Sequence, residues 1–65
     1  MSKLKERREA LGLTQRQVAE KIGIAESAYQ RYERGVVEPS VSAAIKLAKA
    51  LNTTVEYLYS KSEEI

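Results

Sequence analysis

Three glycines, at positions 12, 23 and 35, and a single proline, Pro39, cut a 65-residue chain that is otherwise rich in Ala, Leu, Glu, Lys and Arg. Between these breaks no stretch alternates apolar and polar residues for long enough to build a sheet, whereas apolar residues recur at helical spacing. The chain therefore reads as all-α: a compact five-helix bundle forming a single domain over residues 1–65. It must hold together without disulfide staples, since it contains no Cys, and a chain this short buries only about 60% of its extended surface.

The first helix is expected over residues 3–11, with Ser2 as its N-cap, Leu4, Arg8 and Leu11 on one side, and Gly12 stopping it. The second is sharply marked. Thr14 followed three residues later by Gln17 is a capping box, and Val18, Ala19 and Ile22 form the inward stripe. After a turn at Gly23 the third helix runs from near Glu26 to near Arg34 and turns Ala28, Tyr29 and Tyr32 inward with Ile24. Two short helices so closely joined cannot lie antiparallel with a relaxed loop; they must cross steeply. Beyond the breaker segment 35–39, Ser40 caps a fourth helix over about 41–51, with Val41, Ala44, Ile45, Ala48 and Leu51 inward. Asn52 ends it, Thr53 or Thr54 caps a fifth helix, and Val55, Leu58 and Tyr59 complete the core. The polar tail 60–65 is expected to fray.

Charge is distributed unevenly along this framework. Residues 1–34 carry eight basic and five acidic side chains, whereas residues 35–65 carry three and four, so a polyanion would meet the N-terminal half. Catalysis is excluded on composition: there is no His, no Asp and no phosphate-cradling glycine loop. Without Cys or His neither a metal nor a cofactor is expected. No apolar run approaches the roughly 18 residues of a membrane span, and no apolar signal segment precedes the first helix, so the expected location is the cytoplasm.

The residues Leu11-Gly12-Leu13-Thr14-Gln15, Val18-Ala19, Gly23-Ile24, Tyr29 to Gly35, Glu38-Pro39-Ser40 and Ile45 to Leu51 occur in an order and at separations that are strongly specific together. Over residues 3–59 the chain resembles the helix-turn-helix family of lambda Cro and the phage repressors, the XRE family. The resemblance implies a helix-turn-helix motif at about 14–34 and a transcriptional regulator, a repressor, that binds double-stranded DNA as a homodimer. Two readings of the partner stay open: operator DNA, or another protein gripped by an antitoxin-like or co-regulatory module with the same fold.

The resemblance places Ala25, Glu26, Ser27 and Arg31 toward bases or the flanking backbone. The helical wheel independently spreads Ser27, Gln30, Arg31 and Arg34 over the solvent side, on a rod about 12 Å long that matches the width of a major groove. Arg31 can pair with guanine O6 and N7 together, Ser27 reads at short range, and Glu26 can accept from a cytosine amino group. Gln15, at the start of the second helix, matches a family glutamine that bridges phosphate and recognition helix; Arg16, Arg34 and Ser40 are further backbone candidates. Arg8 and Glu33 match a family ion pair tying the first helix to the third. The family's basic residue after Gly35 is missing, and Val36 and Val37 stand there instead. Those valines either leave a phosphate contact unmade or form a subunit contact. Tyr57 and Tyr59, two residues apart, cannot both face the core, which makes them candidates for a dimer interface as well.

Overall fold

Thr14 begins the best-defined helix because its hydroxyl accepts from the Gln17 N–H at 3.0 Å while the Gln17 side chain accepts from the Thr14 N–H at 2.8 Å. Two donors that a helix start leaves orphaned are satisfied by one tetrapeptide. A computed structural model describes residues 3–59 and arranges them as five helices: α1 Leu4–Ala10, α2 Gln15–Ile22, α3 Glu26–Arg34, α4 Val41–Ala50 and α5 Val55–Tyr59. There is no strand among the described residues. The polar tail, residues 60–65, lies outside them, as does Ser2; the residue that flanks α1 is Lys3, which makes no side-chain cap.

The helices stop where the backbone can turn left-handed. Gly23 has φ 76° and Gly35 φ 77°, and the residues after them close the helix ends by donating back, Ile24 N–H to Ala19 C=O and Val36 N–H to Arg31 C=O. Asn52 does the same for α4 with φ 56°, an angle its short polar side chain tolerates. Ser40 caps α4 and Thr54 caps α5, each hydroxyl accepting an N–H from three residues on.

Leu4, Val18, Ala19, Tyr29, Leu47, Ala48, Leu51 and Leu58 form the buried core. Around it α2 packs on α3 and α4, α5 on α4, and α1 on α3. Three sequence expectations are corrected. Leu11 is 40% exposed, because α1 ends at Ala10 and Leu11 is already in its terminal turn. Val41 and Ile45 are 78% and 45% exposed, whereas Leu47, assigned no inward role, is fully buried. The inward stripe of α4 is thus Ala44, Leu47, Ala48 and Leu51, and hydropathy alone could not separate that stripe from the adjacent one.

Arg7 adds a polar clamp that the sequence did not announce. Its Nε donates to Leu51 C=O at 2.9 Å and its Nη2 to Asn52 C=O at 3.0 Å, binding α1 to the carbonyl end of α4. Beside it the Lys3 N–H donates to Leu58 C=O at 2.7 Å, so α5 is fastened to the start of α1.

No neighbouring atom would lie within 4 Å of a methyl placed on Gly23, so only its positive φ opposes a side chain there. The expected cost of Gly23→Ala is therefore about 1–2 kcal/mol in urea unfolding. A loss well above that range would mean that the turn is held by packing instead.

Candidate nucleic-acid interface

The outer surface of α3 is built by residues that cannot enter the core. Glu26, Ser27, Arg31 and Arg34 are exposed, Gln30 is half-buried, and Tyr29 on the opposite side is fully buried. Neither Arg31 nor Arg34 forms a side-chain hydrogen bond or ion pair among the described residues, which leaves both guanidinium forks open to solvent. Ala25 occupies the N-cap position of α3 in extended conformation without a side-chain cap. This exposed face joins an acceptor at Glu26, a hydroxyl at Ser27 and two donor forks.

What holds that face at a fixed rotation is Glu33. Its carboxylate, 4% exposed, receives Arg8 Nε at 2.5 Å and Arg8 Nη2 at 3.3 Å, Tyr29 Oη at 2.7 Å and Gln15 Nε2 at 3.0 Å. Arg8, 11% exposed, also donates Nη1 to Leu13 C=O at 2.9 Å. Helices α1, α2 and α3 therefore converge on one buried negative charge whose acceptor capacity is filled. Burial alone would raise the Glu33 carboxyl; Arg8 above all, then Tyr29 and Gln15, hold it below its ordinary value. Burial and the Glu33 partner push the Tyr29 phenol up, so it stays a donor. The hydrogen bond to Glu33 likewise raises Arg8.

Gln15, at the first position of α2, sits between that centre and the exposed face. Its Nε2 is taken by Glu33, and its Oε1 accepts from Gln30 Nε2 at 3.2 Å; the same Gln30 nitrogen lies 3.5 Å from Glu26 Oε2. Arg16 is fully on the surface and pairs with Glu20 at 3.4 Å one turn along. Ser40 spends its acceptor on the Ala43 N–H at 3.1 Å, at the start of α4. Sequence reasoning missed the Tyr29 hydroxyl and the Gln30 link, since helical periodicity assigns Tyr29 to the core and says nothing of where its oxygen ends.

Val36 and Val37 are exposed, Val36 the more so at 62%. Of the two C-terminal tyrosines, Tyr57 faces outward, with Lys3 Nζ 5.0 Å from its ring centre and its hydroxyl 3.4 Å from Glu6 Oε2, while Tyr59 packs against the core. The Tyr59 oxygen is buried with no hydrogen-bond partner, and burial raises its pKa, with Glu38 and Tyr32 adding to the effect. It borders a half-open groove of about 750 Å³ between the α3–α4 loop, α4 and α5, lined by Val37, Pro39, Val41 and Ile45 and carrying Arg34 and Glu38. The groove is where the two apolar side chains that α4 fails to bury are found.

The helix-turn-helix family model matches residues 4–58. The chain belongs to the helix-turn-helix family of Cro and the phage repressors. It is 36% identical over 61 residues to the HTH-type transcriptional regulator ImmR of Bacillus subtilis, covering 94% of this chain and 48% of the relative. It is 38% identical over 60 residues to the cryptic phage CTXphi transcriptional repressor RstR of Vibrio cholerae, covering 86% and 54%. An uncharacterized HTH-type transcriptional regulator of Archaeoglobus fulgidus is 30% identical over 63 residues, covering 97% and 90%. This chain thus spans about half the length of the first two relatives. Among the described residues no helix is long and apolar enough to cross a membrane.

The Glu33 centre makes two measurable demands. Arg8→Met leaves a buried carboxylate without its cation and is expected to cost about 3–5 kcal/mol, whereas Arg16→Met, which breaks an exposed pair, changes stability by less than about 1 kcal/mol. Because the folded Glu33 carboxyl lies below its ordinary 4.5, its contribution is complete above that pH and is lost as pH falls through the lowered value. Urea unfolding from pH 7 to pH 3 is expected to show this acid limb in the wild type and a flatter one in Glu33→Gln; equal slopes would remove Glu33 as its source.

Proposed function

We propose that this chain is a sequence-specific, double-stranded DNA-binding transcriptional regulator, a repressor, that lays α3 in the major groove. The observation that carries the reading is a short helix whose outer face bears Glu26, Ser27, Arg31 and Arg34 while its inner face is locked to two other helices through Glu33. Rigid placement of donor forks and acceptors is what recognition of base edges requires. Family membership and the regulator relatives support it. In this reading Arg31 takes guanine, Ser27 and Glu26 read neighbouring edges beside Ala25, and Arg16, Arg34, Ser40 and the start of α2 at Gln15 meet phosphates. The chain acts in the cytoplasm, where its DNA is.

The molecule acts as a homodimer, since one short rod reads too few base pairs to select an operator. The second copy sits against the groove beside Tyr59. Arg34 and Glu38 both border it, so a twofold axis passing between them would set each against its opposite in the mate and cover Val37, Val41 and Ile45. Val36, exposed and next in sequence to Val37, joins that contact, whereas Tyr57, exposed beside Lys3 and Glu6, offers a second surface for the mate. The groove also suits the rival reading, a module that grips a different protein.

Selection of bound duplexes from a random library, followed by binding at several salt concentrations, tests the function. Two related half-sites and a log K that falls with log salt, by about 0.9 per neutralised phosphate, are expected. A stable complex with another protein, with no salt-dependent DNA affinity, would replace it. On the selected operator Arg31→Ala is expected to weaken binding by about 1–3 kcal/mol per half-site and to relax preference at one base pair. Sedimentation on a minimal operator is expected to find two chains, with half-site centres about 34–36 Å apart. One chain per operator would end the dimer proposal.

A further inference from the structure

The amides of Gln15 and Gln30 form a chain whose direction is set from its buried end. A carboxylate only accepts, so Gln15 must turn its nitrogen toward Glu33, which leaves the Gln15 oxygen toward Gln30. That oxygen requires a donor, so Gln30 turns its own nitrogen inward, at 3.2 Å. The same nitrogen lies 3.5 Å from Glu26 Oε2, a long contact at which the carboxylate favours its second hydrogen. The Glu33 end fixes this direction, and the Glu26 carboxylate at the other end favours it by drawing the second Gln30 N–H away from the groove.

We propose that Gln30 is a one-sided reader whose carbonyl oxygen alone is offered to the major groove, and that Gln15 sets this preference while touching no base. The inference rests on the reading of α3 as the recognition helix. A free glutamine pairs with adenine through two bonds, nitrogen to N7 and oxygen from N6. Gln30 lacks the first of these. It accepts from an exocyclic amino group, which adenine and cytosine both present, and it opposes the O6 of guanine and the O4 of thymine. Glu26, one turn before it on the same side of α3, is an acceptor too. The edge of α3 nearest α2 is thus an acceptor edge, and the edge carrying Arg31 is a donor edge. Gln15 acts here as a positioning residue.

Selection from a random duplex library with the wild type, Gln15→Met and Gln30→Met, with thermal unfolding of each variant, tests the assignment. The wild type is expected to show one position per half-site that admits adenine and cytosine and rejects guanine and thymine. Gln30→Met is expected to lose that preference there and nowhere else. Gln15→Met releases one N–H to reach N7, so adenine is expected to gain over cytosine at the same position by about tenfold. A wild-type position restricted to adenine, a Gln30→Met profile equal to the wild type, or a Gln15→Met profile merely scaled down would overturn the proposal. If Gln15→Met does not fold, Gln30→Glu decides: it keeps the acceptor and loses the donor, so preference for adenine and cytosine persists, and its disappearance refutes the assignment. A wild type that enriches no sequence fails the DNA reading itself, a result distinct from these.

Discussion

A single buried carboxylate governs the orientation of α3, the helix proposed to read DNA. Glu33 takes donors from α1, α2 and its own helix, and no water is needed to complete it. Such a centre is a poor source of net stability, because removing two charges from water offsets much of their attraction. Its contribution is directional. Apolar contacts between short helices tolerate small rotations, while the paired Arg8 contacts at 2.5 and 3.3 Å and the Tyr29 contact at 2.7 Å do not. Since neighbouring residues on a helix differ by 100°, a small turn of α3 would exchange the residues that face outward. Rigidity of the outer face of α3 is therefore supplied by polar groups and bulk stability by the apolar core.

Features determined by nearby residues were legible in the sequence. The Thr14–Gln17 box, the stops at Gly23 and Gly35, the caps at Ser40 and Thr54 and the end at Asn52 each depend on three to five consecutive residues, and each is found where its chemistry requires. Features determined by tertiary packing were not. Val41 and Ile45 are as apolar as Leu47, and only the position of α2 and α5 decides which row of α4 is covered. The Arg7 clamp joins residues 44 and 45 positions apart, a separation at which sequence carries no local signal. In the site, residue types and exposed face could be read from periodicity, whereas the direction of the Gln15–Gln30 amides follows from Glu33 and needed coordinates.

Absence of staples places a limit on such a domain. The described core is small, and its closure uses Arg7 and the Lys3 backbone to fasten the first and last helices to their neighbours. Those fastenings all lie on the α1 side. On the other side, where α3 runs into α4, the chain leaves Val37, Val41 and Ile45 exposed and the Tyr59 oxygen buried without a partner. This defect in self-burial beside the end of α3 is what supports the proposed seat of a second copy. Association there would cover the apolar surface and fix the spacing of two reading heads in one step.

Electrostatics favours specificity over affinity in this design. Of the four charged residues of α3, Glu33 is neutralised internally by Arg8, so the outward face carries Arg31 and Arg34 against Glu26. A near-balanced face gains little from phosphate attraction, and the loop that follows offers Val36, Val37 and Glu38 in place of cations. Non-specific binding, which is almost wholly electrostatic, is weakened by both. Specific binding of the proposed kind would lose less, because hydrogen bonds to the correct base edges would be retained while a misplaced carboxylate facing an acceptor is repelled. In the proposed complex the ratio between operator and random DNA would therefore widen as absolute affinity falls, and doubling the reading face in the proposed dimer would restore the affinity without restoring the non-specific attraction of a more basic helix.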